Sequence, residues 1–170
     1  MENISFRTLK QEDLNELAVI LNSPLVCKNT PFGPNSFEET FAYFSPILEK
    51  ISTSNEFSKH NFLIAIISNQ KVIGNFGVFN VESENTYEIG YNLSEEFWNK
   101  GIISKAIKRI CAILIYKKRP KNIIAKVMSN NSASIRVLEK NGFKIKKISE
   151  KIIIKKGKQY DEILLELKNN

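Results

Sequence analysis

The chain has 170 residues, 42% apolar and 25% charged, with a formal net charge of +7; that balance suits one globular domain with a core and excludes a disordered chain. The longest apolar run, residues 110–116, falls far short of the roughly twenty residues needed to cross a bilayer, so no membrane partner is expected. Cys27 and Cys111 are the only cysteines, and the N-terminal stretch lacks the order of a signal peptide, which leads to the expectation of a reduced, cytoplasmic setting.

Residues 4–9 read as a first strand. Residues 13–21 carry Leu14, Leu17, Ala18 and Leu21 at the spacing of one helix face. Ser23-Pro24 ends that helix, and Thr30-Pro31-Phe32-Gly33-Pro34 is a loop by its turn residues. Ser36, with Glu39 three residues on, forms a capping box for a helix carrying Phe37, Phe41, Phe44, Leu48 and Ile51. Pro46, inside that helix, is expected to kink or divide it. Residues 61–67 and 71–79 are apolar strands around Ser68-Asn69-Gln70, a hairpin signal.

Residues 87–93 form the next strand. A helix over 101–116 places Ile103, Ile107, Ile110 and Leu114 in a core stripe and turns Lys105, Lys108 and Arg109 away. Cys111 sits in its apolar part as a small core residue. A strand over 122–128 precedes a helix over 132–140 that closes on Asn141-Gly142, a pair suited to a left-handed cap. Residues 143–154 and 160–167 form a last hairpin around Lys156-Gly157-Lys158. In its second strand Ile163, Leu165 and Leu167 alternate with Glu162 and Glu166, which implies one wet face. The order β-α-α-β-β-β-α-β-α-β-β, with no repeat or linker, implies an α/β fold around one mixed sheet and a single domain over 1–170.

Charge divides along the chain. Residues 1–99 hold 6 Lys/Arg against 13 Asp/Glu, a balance of −7, whereas residues 100–170 hold 19 against 5, a balance of +14. The stretch 72–99 has no Lys or Arg but contains Glu82, Glu84, Glu88, Glu95 and Glu96. Either the surface has an acidic and a basic side, or the chain is simply rich in Lys, Ile and Asn. The run Lys117-Lys118-Arg119-Pro120-Lys121 and the lysines over 140–158 raise nucleic-acid binding. They lack clustered aromatics and alternate with apolar residues, so a solvated face is expected and nucleic acid is not. His60 has no partner at a familiar spacing and reads as a surface residue; with two distant cysteines, no metal is expected.

Two segments carry the chemistry. Phe97-Trp98-Asn99-Lys100-Gly101-Ile102-Ile103-Ser104 sets a glycine turn at the start of an amphipathic helix, straight after a strand. Such a turn aims backbone N–H groups and a positive helix end at an anion, Gly101 permits close approach, and Lys100 and Lys105 add charge. The bland alternative is a glycine turn before a core helix. Asn131-Ser132-Ala133-Ser134-Ile135-Arg136-Val137-Leu138-Glu139-Lys140-Asn141-Gly142-Phe143 opens a second helix with small polar residues. Together with the element order these segments resemble the GNAT superfamily of acetyl-CoA-dependent N-acetyltransferases, over nearly the whole chain and most strongly from Glu88 to Phe143. Residues 90–93, 96–103 and 133–140 are similar to its ribosomal-protein-alanine acetyltransferase (RimJ/RimL-type) branch.

The resemblance implies an acyl-CoA N-acyltransferase fold, its largely antiparallel mixed sheet flanked by helices. It implies an enzyme that moves acetyl from acetyl-CoA, a co-substrate, to a primary amine by direct attack in a ternary complex, without metal, as a monomer or homodimer. The acceptor is either a protein N-terminal α-amine or a small amine such as an amino acid, polyamine or antibiotic; a non-catalytic acyl-CoA-binding module is the alternative. An α-amine, with a pKa near 8 against about 10.4 for lysine, needs less help to become neutral. Lys100, Gly101, Ile102, Ile103 and Ser104 would hold phosphates, Asn131 the pantetheine arm, and a backbone N–H near Leu93 the oxyanion. Glu88 would take the amine proton through water, or it is a solvated or ion-paired strand glutamate. Ser134 would serve the thiolate, or it is merely a first-turn helix residue. Trp98 and Tyr91 read as packing residues. Two departures stand out. The superfamily's Gln/Arg-x-x-Gly-x-Gly/Ala loop falls on Trp98, Gly101 and Ile103, matching only at Gly101, which touches affinity for the cofactor. The tyrosine that many members use as acid is Leu138 here. Acceptor specificity is expected in the loop 23–36 and the helix after it.

Overall fold

The computed structural model describes residues 3–81 and 85–169, the side chains at 56–58 left aside; Glu82 and Glu84 of the acidic stretch lie outside the described residues. Its strands are β1 (Ile4–Thr8), β2 (Phe62–Ser68), β3 (Lys71–Val81), β4 (Thr86–Leu93), β5 (Asn122–Met128), β6 (Lys144–Lys155) and β7 (Lys158–Lys168). Its helices are α1 (Leu14–Asn22), α2 (Phe37–Thr53), α3 (Asn55–His60), α4 (Ile102–Lys118) and α5 (Ser132–Lys140), with 3₁₀ turns at Gln11–Asp13 and Glu95–Phe97. The strands run β1-β2-β3-β4-β5-β7-β6 in a seven-stranded, mixed and largely antiparallel sheet, the α/β class that the element order implies. Within the described residues two compact units form, one of 3–28, 32–79 and 90–100, the other of 29–31, 80–81, 85–89 and 101–169.

In the first unit β1, β2 and β3 pair antiparallel. Asn69 (φ 48°) and Gln70 (φ 67°) make the two-residue turn from β2 to β3, since consecutive positive φ values match the twist of a tight hairpin. The α1 face falls as its spacing predicts: Leu14, Leu17, Ala18 and Leu21 are buried, and Leu14, Leu17 and Leu21 cluster with Phe44 and Leu48 of α2 and Leu63 and Ala65 of β2. The capping box holds, Glu39 N–H donating to Ser36 Oγ at 3.1 Å and Ser36 N–H to Glu39 Oε2 at 2.7 Å. Of the two outcomes expected at Pro46, a kink or a division, the division does not occur, for α2 runs on through it. Its missing N–H removes one helical bond, but its ring lies on the exposed side while Phe44 and Leu48 anchor both flanks. Gly74 is needed for close approach; a Cβ there would run into the Asn92 carbonyl.

In the second unit Thr86, Tyr87 and Glu88 of β4 pair in parallel with Asn122, Ile123 and Ile124 of β5, and β5 and β6 flank β7 antiparallel. Lys156 (φ 50°) and Gly157 (φ 73°) make the second tight turn. Helix α4 buries Ile102, Ala106, Ile107, Ile110, Cys111 and Leu114 and exposes Lys105, Lys108 and Arg109; its stripe starts at Ile102, and Ile103 is only half-buried. Helix α5 closes with Phe143 N–H on the Leu138 carbonyl and Gly142 N–H on that of Glu139, with Gly142 at φ 89°, the paired C-terminal bonds that a left-handed glycine allows. The wet face expected on β7 is only partial. Ile163 and Leu165 are buried, but so is Glu166, whose Oε1 accepts from Lys146 Nζ at 2.6 Å; a paired cation is what makes burying a carboxylate tolerable. β6 ends the sheet, with register breaks between Ile145 and Lys147 and between Ser149 and Ile153.

Candidate active site

Helix α4 begins at a glycine turn. Gly101 caps it in the left-handed region at φ 72°, and a Cβ built there would meet nothing within 4 Å. No side chain caps the helix and no acidic residue stands in its first turn, so the N–H groups of Ile102, Ile103 and Ser104, which precede the first intrahelical bond, meet no competing carboxylate on their own element. The Ser104 hydroxyl is engaged, accepting from Asn141 Nδ2 at 3.0 Å, and the same amide also donates to the Val137 carbonyl at 2.8 Å. Asn141 thus ties the first turn of α4 to the end of α5.

The start of α5 is a second polar centre. Asn131 caps it, its Oδ1 accepting from Ser134 N–H at 3.2 Å. Asn131 Nδ2 donates to the Asn29 carbonyl at 3.0 Å, and Asn130 Nδ2 to Asn29 Oδ1 at 3.1 Å. Ser134 sits in the first helical turn, half-buried. Its position suits either sequence reading.

Glu88, on β4, is ion-paired: Lys126 Nζ of β5 donates to its Oε2 at 2.8 Å, with Glu88 at 32% side-chain exposure. The hydrogen bond that Lys126 donates to Glu88 raises the Lys126 pKa, burial opposes it, and the charges of Glu88 and Glu162 add to the rise. The Lys126 partner was not visible in the chain order, because it comes from the next strand of a parallel pair.

Tyr91, Leu93, Trp98 and Lys100, also singled out in the sequence, belong to the first unit. Leu93 is buried, and its carbonyl accepts from Trp98 Nε1 at 2.8 Å, which makes Trp98 a clamp on the strand end. Tyr91 stacks on Phe76 with ring centroids 5.7 Å apart, the packing role expected of it. Lys100 Nζ lies 4.8 Å from the Phe97 ring centroid, a cation–π placement. Burial pushes the Cys111 thiol up to about 12, so at neutral pH it has no thiolate to offer.

The residues fit an acetylated coenzyme. An open glycine turn, an acid-free helix start and half-exposed polar groups at the head of α5 supply donors for phosphate and amide oxygens. Among the described residues no group of three or more His, Cys, Asp or Glu is placed to hold a metal, and no helix is long and apolar enough to cross a membrane.

The acetyltransferase (GNAT) domain model matches residues 3–144. A Bacillus licheniformis protein called uncharacterized N-acetyltransferase p20 is 28% identical over 147 residues, 84% of this chain and 79% of that one. The ribosomal-protein-S5-alanine acetyltransferase of Vibrio fischeri superposes with a TM-score of 0.79 at 21% identity, covering 100% of this chain and 95% of that one. The spermidine N-acetyltransferase of Vibrio cholerae, solved with CoA and spermine, superposes with a TM-score of 0.80 at 17% identity, covering 97% of this chain and 95% of that one.

Proposed function

The chain belongs to the GNAT acetyltransferase family, an acetyl-CoA-dependent N-acetyltransferase, and from that premise we propose that its acceptor is the N-terminal α-amine of a protein. The observation that carries this reading is the Asn131-capped start of α5, with Ser134 in its first turn and Leu138 where a tyrosine acid would stand, as in the ribosomal-protein-alanine branch that residues 90–93, 96–103 and 133–140 resemble. The same reading takes 1–170 as one catalytic domain, cytoplasmic, acting as a monomer or homodimer.

Acetyl-CoA supplies the activated acyl group and the thiol that leaves. The first-turn amides of Ile102, Ile103 and Ser104, with Lys100 nearby in sequence, hold its phosphates, and Asn131 holds its pantetheine arm. Glu88, through a water, takes the proton that the amine loses as its nitrogen bonds the acetyl carbon. The Leu93 N–H donates to the carbonyl oxygen as charge gathers there. Ser134 gives a proton to the departing sulfur and takes one back from solvent water, a modest task because a thiol has a pKa near 8.5.

A small cationic amine is the second reading. The acidic stretch favours it, since Glu88, Glu95 and Glu96 follow one another without a Lys or Arg between Val72 and Asn99. An acceptor screen with acetyl-CoA decides: peptides beginning with Ala, Ser or Met against spermidine, free amino acids and aminoglycosides, read by thiol release. Peptide turnover well above that of the small amines supports the first reading, and the reverse order supports the second. Coenzyme binding without thiol release from any amine would leave the non-catalytic module.

A further inference from the structure

Asn131 has more partners than a helix cap requires. Its amide has two donor hydrogens and two acceptor lone pairs. One acceptor site takes the Ser134 N–H, and one donor reaches across 102 residues of sequence to the Asn29 carbonyl at 3.0 Å. Asn29 is in turn fixed by Asn130 Nδ2 on its Oδ1, and the next carbonyl, that of Thr30, accepts from Lys155 Nζ of β6 at 2.7 Å. Three side chains from α5's cap region and the last hairpin therefore hold two consecutive residues of a segment between a cysteine and a proline-rich turn. The bond to Asn29 fixes which way the Asn131 amide is rotated, and so where its second N–H and second lone pair point.

We propose that Asn29 and Thr30, clasped by Asn130 and Lys155, are positioning residues for the Asn131 amide, so that coenzyme binding and the seating of this segment are coupled. The inference rests on the assignment of Asn131 to the pantetheine arm. With the segment seated, the amide presents its unused donor and acceptor in one orientation and the ligand meets a group already aligned. With it released, the Ser134 N–H still restrains Oδ1, but the Nδ2 side loses its anchor. Coupling is reciprocal, so bound coenzyme holds the segment down in turn.

The test uses coenzyme A as probe and two readouts, its Kd by calorimetry and the rate of tryptic cleavage after Lys28, an exposed residue at the segment's edge. Asn130→Ala and Lys155→Met are each expected to raise the Kd about fivefold, the size of one lost hydrogen bond, and to speed the cleavage. Saturating coenzyme A is expected to slow cleavage of the wild type. Asn130→Ala separates positioning from charge, because it removes no cation. Faster cleavage with an unchanged Kd in Asn130→Ala overturns the proposal, as does a wild-type cleavage rate indifferent to coenzyme A. Failure of the wild type to bind coenzyme A at all overturns instead the assignment on which it rests.

Discussion

Lys126 Nζ stands 2.8 Å from Glu88 Oε2, an ion pair between the parallel neighbours β5 and β4. Replacing Glu88 by Gln keeps the shape and removes the charge. The expected result is a loss of about 100-fold or more in kcat with altered pH dependence. The Lys126 pKa should also fall, because the Glu88 hydrogen bond is the largest contribution raising it. Steady-state rates across pH and an NMR titration of the lysines measure the two effects. An unchanged pH–rate profile would remove Glu88 from the mechanism.

Gly101 and Gly74 are needed for different reasons, and alanine tells them apart. At Gly101 the added methyl has open space, but φ of 72° is strained for any L side chain, which costs about 1–2 kcal/mol. A small drop in Tm with weaker coenzyme A binding is expected. At Gly74 the methyl strikes the Asn92 carbonyl, backbone that cannot step aside, so Gly74→Ala should unfold at clearly lower temperature than Gly101→Ala. Equal midpoints would contradict the distinction.

Asn131 and Ser134 share one hydrogen bond but carry different loads. Asn131→Ala removes the α5 cap and should lower stability by about 1 kcal/mol. The cap uses the Ser134 N–H and not its hydroxyl, so Ser134→Ala should keep the capping contribution that Asn131→Ala loses. If the hydroxyl serves the leaving sulfur, kcat falls by about tenfold or more. Full turnover in Ser134→Ala would reduce it to a helix residue.

Acid should loosen the first unit through Asp13. Burial raises the pKa of this carboxyl, but Arg7 grips both its oxygens at 2.6 and 2.7 Å, Lys10 N–H adds a bond at 2.8 Å, and the net shift is downward. A depressed carboxyl contributes stability that is present above its unfolded value, near 3.9, and is lost as pH falls through the folded value. Denaturant midpoints at pH 7, 5 and 3 should therefore fall mainly below pH 4. Arg7→Met should cost about 1–3 kcal/mol at pH 7 and flatten that acid dependence.

The thiols should be silent in the native state. Cys27 and Cys111 are both buried, and Cys111 is pushed up to about 12. Iodoacetamide at neutral pH should label the protein only after unfolding. Rapid labelling of Cys111 in the native protein would mean that the α4 core opens readily.

Local chemistry was legible and long-range chemistry was not. The Ser36–Glu39 box, the α1 stripe and the Gly101 turn each lie within a few residues, where spacing alone dictates the bonds. The six-residue α3 is too short to show a period. That Pro46 does not divide α2 is not a local matter, because burial of Phe44 and Leu48 against other elements holds the helix together across it. Alternation alone turns Glu166 toward water; its cation, Lys146, sits 20 residues away on β6 and leaves no local sign. The same holds at the candidate site, where Lys126 reaches Glu88 over 38 residues and Asn131 reaches Asn29 over 102. Such partners exist only once strand register is set.

The strand that closes the sheet, β6, carries its own deterrent. Ile145, Ile148, Ile152 and Ile154 are all exposed along it, an aliphatic ribbon that would invite another chain to add on. Lysines stand among them, and Lys151 at φ 50° sits where the register breaks, so an incoming strand meets repulsion and an interrupted ladder together. Concentrated salt would mute the first obstacle and leave the second. Colloidal stability of the purified protein should therefore decline as ionic strength climbs, but short of fibre formation.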